Sequence, residues 1–460
     1  MGIAAAFMVP HPPLIIPEVG RGGEAQIKET SDAYDKVAEE ISEIAPDTII
    51  ISSPHSVMYR DYFHISPGRK AIGDLGMFSA PEVKFCEEYD EELSSLLADI
   101  LSSKGFPGGY KGERASELDH GTMVPLYFIR KHYHGGKIVR IGLSGSSLAD
   151  HYLLGTYIKM AVEELGRIAV YIASGDLSHV LRQEGPYGFD PMGPVYDEKI
   201  MDIASRAAFG EMLDMDPRLL DKAAECGHRS FVIMAGTLDG YKVRSRVYSH
   251  QDITGVGYGI ASFYPECEDQ DRFFLTRKRS GESNDGYVML ARASIESYIR
   301  YGKRLKVPED IPASVKEALP SEAFSGRSGT FVSIHKLGEL RGCIGTIVPA
   351  KESVAEEIVS NAISASVRDP RFPPIREDEL DLLEVNVDIL GDPEDIAGPE
   401  DLDVKKYGVI VSSGYRRGLL LPDLEGVDDV GTQISIAMQK AGISSSEDYT
   451  LQRFEVIRHK

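Results

Sequence analysis

The sequence predicts an α/β first half with a central mixed sheet flanked by helices, joined to a smaller α+β second half. Three observations carry this. Apolar runs of strand length alternate with helical spacing up to about residue 264. From about residue 286 the strand-like runs come in neighbouring pairs. Between them, residues 265–285 form an acidic and then turn-rich polar seam, which reads as an interdomain linker interrupted only by Phe273-Phe274-Leu275.

The elements follow in order. Ile3 to Val9 is an unbroken apolar run, the pattern of a strand buried on both faces. Glu24 to Ile44 has the apolar spacing of a helix, and Asp47 to Ser53 is a second strand. Lys137 to Gly142 and Arg167 to Ser174 are further strands, with a helix over Ser147 to Leu165 between them. Lys242 to Ser249 and Gly257 to Phe263 have β character with no helix between, so the sheet is mixed. In the second half, Gly286 to Tyr301 reads as a helix. Thr330 to His335 and Leu340 to Gly345 flank a hairpin turn at Lys336-Leu337-Gly338-Glu339. A helix over Ser353 to Val367, a strand over Leu383 to Leu390, a hairpin of Tyr407 to Ser413 with Gly418 to Leu421, and a helix over Val430 to Lys440 complete it.

Composition narrows the function. The 460-residue chain has room for two or three domains and carries a formal charge of -22, so it lacks the basic balance a nucleic-acid binder needs. Its four cysteines form no CxxC pair or disulfide framework, which points to the reducing cytoplasm. The first apolar run is short, is broken by Pro10 and His11, and has no basic leader, so neither a signal peptide nor a membrane span is expected.

Chemistry concentrates where strands end. His11 follows the first strand in Pro10-His11-Pro12, and His55 follows the second in Pro54-His55-Ser56. Ser174-Gly175-Asp176-Leu177-Ser178-His179 follows a later strand, and Asp119-His120-Gly121 precedes a helix. Open α/β sheets build their sites at the carboxyl edge of the strands, so these side chains are placed to converge. Two neutral imidazoles and one carboxylate make a metal site with open positions, suited to Fe(II) that binds substrate and dioxygen. His11 and His55 are the imidazole pair, and Glu225 is preferred over the adjacent Cys226 as third ligand. On a helix the two neighbours point about 100° apart, so both do not face one ion. His179 is the candidate acid/base, with Asp176 to orient it. His64, His132 and His134 read as structural or solvated, while His228, His250 and Arg229 are secondary candidates.

Pro10-His11-Pro12, Pro54-His55-Ser56, Asp119-His120-Gly121 with Val124-Pro125-Leu126, and Gly175-Asp176-Leu177-Ser178-His179 together resemble class III extradiol ring-cleavage dioxygenases and their MEMO-like relatives over residues 1–264. The resemblance implies Fe(II) held by His11, His55 and an acidic residue, with His179 as acid/base and His120 near a catecholic substrate. Copper and zinc are the alternative metals. MEMO-like proteins carry a cysteine near the third-ligand position, and here Glu225 and Cys226 are adjacent.

Leu340-Arg341-Gly342-Cys343-Ile344-Gly345-Thr346, Ser366 to Pro374, and Gly418 to Pro422 resemble the AMMECR family over residues 286–458. Cys343, with Arg341 nearby, is a candidate thiol nucleophile or a structural thiol, and Asp369 and Arg371 are the other chemically interesting positions. The fusion resembles the AmmeMemoRadiSam arrangement. That resemblance implies a separate radical SAM partner, because this chain has no CxxxCxxC motif. The expected function is therefore a cytoplasmic non-haem Fe(II) oxidoreductase acting on a small catechol-like molecule and dioxygen. The alternative is a non-catalytic metal-binding scaffold or maturation factor. Nucleic acid and membrane are excluded as partners, and a homo-oligomer is left open.

Overall fold

The computed structural model describes residues 2–112, 117–275, 283–336, 339–424, 426–444 and 446–460. The turn expected at Leu337-Gly338 and most of the basic end of the seam, residues 276–282, lie outside them. The chain divides into two compact units, Met1–Phe274 and Leu275–Lys460. An α/β unit thus precedes a smaller α+β unit, as the periodicities predict.

The first unit is built on a six-stranded sheet. Its strands are β1 (Ile3–Val9), β2 (Thr48–Ser53), β3 (Lys137–Gly142), β4 (Ala169–Ser174), β5 (Tyr241–Gln251) and β6 (Tyr258–Glu268), in the order β3-β2-β4-β1-β6-β5. The first four strands pair in parallel, and β6 lies antiparallel to both β1 and β5. Parallel pairing brings the carboxyl ends of β1, β2 and β4 to one edge. Helices α1 (Lys28–Ile44) and α2 (His120–His132) share a core with Phe7, Val9, Ile49, Ile51 and Ile172. The alternating residues Ala6, Met8, Ile50, Tyr171 and Ala173 point to the other face and are equally buried. There α3 (Leu148–Glu164) and α4 (His228–Thr237) pack. These two helices cross at glycines: a Cβ on Gly155 would lie 2.7 Å from the Gly236 Cα and 2.1 Å from the Ile233 carbonyl oxygen.

The structure differs from the sequence reading in several places. The hairpin of Lys70–Leu75 with Ala80–Glu88 was not anticipated, because its exposed polar residues blur the apolar alternation. The first unit also reaches past residue 264. Strand β6 continues to Glu268, and Phe273 and Phe274 fill space over Gly240 and beside Tyr152. His132 ends α2 and lies 3.7 Å from Asp35, while His64 is buried in a two-residue strand.

The second unit has a sheet of β7 (Thr330–Lys336), β8 (Glu339–Thr346), β9 (Leu383–Leu390), β10 (Tyr407–Ser413), β11 (Arg416–Leu420) and β12 (Thr450–His459). The order is β8-β7-β9-β12-β10-β11, with Glu394–Ile396 as an extra partner of β12. Helices α5 (Gly286–Tyr301) and α6 (Val354–Val367) bury Val332, Ile334, Val385 and Val387. Helix α7 (Val430–Ala441) covers a separate core under β10 and β11. Among the described residues no helix is long and apolar enough to cross a membrane.

Buried histidines make the first unit acid-sensitive. His151 donates from Nδ1 to the Ser147 carbonyl and accepts the Ser144 amide at Nε2, a pattern that only the neutral ring satisfies. Desolvation holds His151 down to about 3 and His228 down to about 4. Below pH 6.5 the unfolded chain takes up protons that the folded unit refuses, so stability falls as pH drops toward 4. Each such histidine costs about 1.4 kcal/mol per pH unit across that window. Denaturant midpoints of this unit should fall between pH 6.5 and 4.5, and less steeply in His151→Gln. Equal slopes in the two proteins would refute the assignment.

Candidate metal centre

Three side chains from distant parts of the chain meet at the carboxyl edge of the first sheet. His11 leaves β1, His55 leaves β2, and Cys226 stands in the turn before α4. They offer ligand atoms within 4.8 Å of one another. His11 is buried, Cys226 half-buried and His55 exposed, so the cluster is open to solvent on one side. The Nε2 atoms of His11 and His55 are 3.0 Å apart, and Cys226 Sγ is 3.7 Å from His11 Nε2. Donors bound to one ion at about 2.1 Å for nitrogen and about 2.3 Å for sulfur are separated by roughly 3 to 3.6 Å, so the residues present fit a metal.

The local bonding fixes which nitrogen of His11 faces the cluster. Ser174 Oγ donates its one proton to the Gly121 carbonyl, so it accepts from His11 Nδ1 at 2.9 Å. Nδ1 therefore carries the proton and Nε2 presents its lone pair, an arrangement that suits a ligating imidazole. Asp176 accepts the His11 backbone amide at 2.8 Å, and its other oxygen lies 4.0 Å from His11 Nε2. The backbones of Gly175 and Gly227 touch here: a Cβ on Gly175 would lie 2.1 Å from the Gly227 Cα. Only glycines let the β4 loop approach the Cys226 turn this closely.

Electrostatics keep the imidazoles neutral. Desolvation, with His55 beside it, holds His11 down to about 3. Desolvation and the neighbouring imidazoles hold His120 at about 4, and burial also lowers His55. Burial pushes the Cys226 thiol well up and raises Asp176.

The other expected site residues fall as follows. His120 is the first residue of α2, with its ring 4.0 Å from that of His55 and 5.5 Å from that of His11. Asp176, His179 and Cys226 form a second set of donors within 4.8 Å, sharing the thiol with the first. His179 donates from Nδ1 to the Ala224 carbonyl at 2.5 Å, which leaves Nε2 as its basic nitrogen. Its tautomer is thus set by a backbone carbonyl, while Asp176 anchors His11. Glu225 turns elsewhere: its carboxylate accepts the His228 amide at 2.6 Å at the start of α4, and burial raises it to about 7. His228 is buried between the Tyr196 hydroxyl and the Met212 carbonyl, and His250 pairs with Asp197.

Sequence reading overlooked Ser53, Asp119 as an organiser, and Ser174. Asp119 accepts Ser53 Oγ at 2.6 Å and the Thr122 amide at 3.0 Å. Its position just before His120 and a helix was the available signal.

In the second unit, the motif residues brace an edge strand. Asp369 accepts the Cys343 amide and Arg371 donates to the Cys343 carbonyl. The Arg371 guanidinium holds the Asp369 carboxyl well below its usual range. Arg341 is committed to Glu379 and to the carbonyls of Pro373 and Pro374. The Cys343 thiol lies 3.3 Å from Ser333 Oγ.

Comparison with known proteins agrees with this division. The family model for the catalytic LigB subunit of aromatic ring-opening dioxygenase matches residues 5–261, and the AMMECR1 model matches residues 288–459. Protein CA_C1420 of Clostridium acetobutylicum is 40% identical over 474 residues, covering 100% of both chains. A protein of Thermotoga maritima is 51% identical over 176 residues, which is 38% of this chain and 97% of its own. Among solved structures, an uncharacterized protein from Pyrococcus horikoshii is 32% identical, with a TM-score of 0.34, over 38% of this chain and 89% of its own. An uncharacterized Escherichia coli K12 protein is 15% identical, with a TM-score of 0.40, over 56% of this chain and 99% of its own. With the LigB model spanning more than half of its length and the AMMECR1 model most of the rest, the chain belongs to the family of the catalytic LigB subunit of aromatic ring-opening dioxygenases, fused to an AMMECR1 domain.

Proposed function

We propose that the first unit is a metal-dependent oxidoreductase of the extradiol type, with the ion held by His11, His55 and Cys226 rather than Glu225. The observation that carries this is the convergence of two imidazole nitrogens and a thiol, at ligand spacing, on the solvent-open carboxyl edge of the sheet. Fe(II) bound there would supply a redox-active Lewis acid between a catechol-like diol and dioxygen. The chain's own residues do the rest. His179 Nε2 is placed to take a phenolic proton, because Nδ1 is occupied by the Ala224 carbonyl. The neutral His120 ring, edge-on to Phe78, offers a flat polar wall beside the open position. Asp176 and Ser174 hold His11 from behind.

A second reading is favoured by the thiol itself. A His/His/Cys set suits softer ions, copper or zinc, better than a two-histidine, one-carboxylate set does. In that reading the unit is a metal-binding scaffold or maturation factor that works with a separate radical SAM protein in the cytoplasm.

Anaerobically purified protein should bind one divalent ion, and the double variant His11→Ala/His55→Ala should bind none. Cys226→Ser should weaken binding by about 10–100-fold, whereas Glu225→Gln should leave it within about twofold. Full occupancy in the double variant, or loss of the ion in Glu225→Gln alone, would reverse the ligand assignment.

Binding should also release one proton. The imidazoles are already neutral at pH 7, and the thiol is not yet ionised because burial raises it. Affinity should therefore fall about tenfold for each pH unit lowered between pH 8 and 6. A pH-independent affinity would remove Cys226 from the ligand set.

For the chemistry, Fe(II)-loaded protein should consume oxygen with a catechol and form a yellow ring-opened product. Bound metal with no oxygen uptake across a broad catechol panel would favour the scaffold reading.

A further inference from the structure

Arg140 has the largest side chain among the fully buried residues, yet it reaches neither the metal ligands nor solvent. It lies on β3, where its Nε donates to Ser66 Oγ at 2.8 Å and its Nη1 to the Glu117 carbonyl at 2.6 Å. The same Nη1 stands 3.7 Å from Asp119 Oδ2. Asp119 is the N-cap of α2, and both of its carboxylate oxygens accept hydrogen bonds. Oδ1 takes the Thr122 amide and the Ser53 hydroxyl, and Oδ2 takes the Thr122 hydroxyl at 3.0 Å. Ser53 Oγ in turn accepts the His55 amide at 3.2 Å.

These bonds form two branches from one carboxylate. One runs from Asp119 through Ser53 to the backbone of His55. The other runs through the first turn of α2, whose leading residue is His120 and whose Gly121 carbonyl accepts Ser174 Oγ, the partner of His11 Nδ1. Space is tight as well: a Cβ on Gly121 would lie 2.3 Å from Ser53 Oγ and 3.4 Å from the His55 ring. The turn, the serine and the imidazole therefore move together. The Arg140 guanidinium is buried and the Asp119 carboxylate part-buried, so each keeps its place only with the other's charge nearby, because an uncompensated charge out of water is costly.

We propose that Arg140 is a positioning residue of the metal centre, acting through Asp119 to hold His55 and His120 where they meet His11. Its consequence for metal rests on the ligand assignment above, whereas its effect on the apo chain does not. Arg140 makes no contact with a ligand atom. It sets the depth and direction of the Asp119 carboxylate, and with it the start of α2 and the turn after β2.

Two measurements on the full-length chain test this, using Arg140→Met, Asp119→Asn and a control, Glu87→Gln. The control breaks another largely buried ion pair of this unit, between Arg130 and Glu87. In the metal-free protein, amide hydrogen exchange at His55 and Thr122 should accelerate at least about tenfold in both test variants and stay unchanged in the control. In the Co(II)-loaded protein, both test variants should bind about 10–100-fold more weakly, with an altered d–d spectrum, whereas the control should match wild type. Asp119→Asn keeps the shape of the cap, so it serves if Arg140→Met does not fold. Unchanged exchange at both amides overturns the proposal, and so does a control that loosens the same two sites. Faster exchange in both test variants, alongside a wild-type chain that takes no Co(II), would instead overturn the ligand assignment and leave the positioning role supported.

Discussion

A single part-buried carboxylate, that of Asp119, ties the first unit's site together. Helix N-termini leave amides without partners, and Asp119 satisfies one of them while also receiving two hydroxyls and facing a buried guanidinium. Because the cap precedes His120 and grips the serine before His55, helix start and strand end are locked to each other. Parallel pairing of β1, β2 and β4 delivers the histidines to one edge. The cap and the Ser174 bridge then hold the side chains in place there.

The same logic explains the donor set. Glu225 and Cys226 are neighbours, and one of them had to start a helix. The carboxylate took the amide of His228, the partner that best compensates a helix N-terminus, and the thiol was left facing the imidazoles. His11 and His179 both have their Nδ1 protons committed, to Ser174 and to the Ala224 carbonyl. Each ring therefore presents an unprotonated Nε2. Both tautomers are set by neutral acceptors rather than by carboxylates.

The second unit uses its most distinctive residues for architecture. Strand β8 is an edge of the sheet, and such edges expose unpaired backbone groups. Asp369 and Arg371 bind the amide and carbonyl of Cys343 and stand in for a neighbouring strand. Arg341, in the same motif, fastens the loop of Pro373 and Pro374 through their carbonyls. Gly342 lets α6 approach, since a Cβ there would lie 2.2 Å from the Ala365 carbonyl oxygen. The motif is thus a joint between strand, loop and helix.

Much of this was legible in the sequence. Strands buried on both faces read as apolar runs, and α5 and β9 begin and end where periodicity placed them. His11, His55, Asp176 and His179 could be found because they directly follow such runs. Local pattern says less about polar, two-sided strands, so the hairpin of Lys70–Leu75 with Ala80–Glu88 and strand β12 went unread. The choice between Glu225 and Cys226 was not local either, since it turns on which side chain reaches the α4 amides. Ser174 meets Gly121 across 53 positions, and Arg140 meets Asp119 only once β3 lies beside β2. The sequence by itself determined the elements and the residues that end them, because burial and periodicity act along the chain. Tertiary structure alone decided which of those residues share a proton, a charge or a ligand position, because hydrogen bonds and ion pairs depend on distances that only the folded sheet creates.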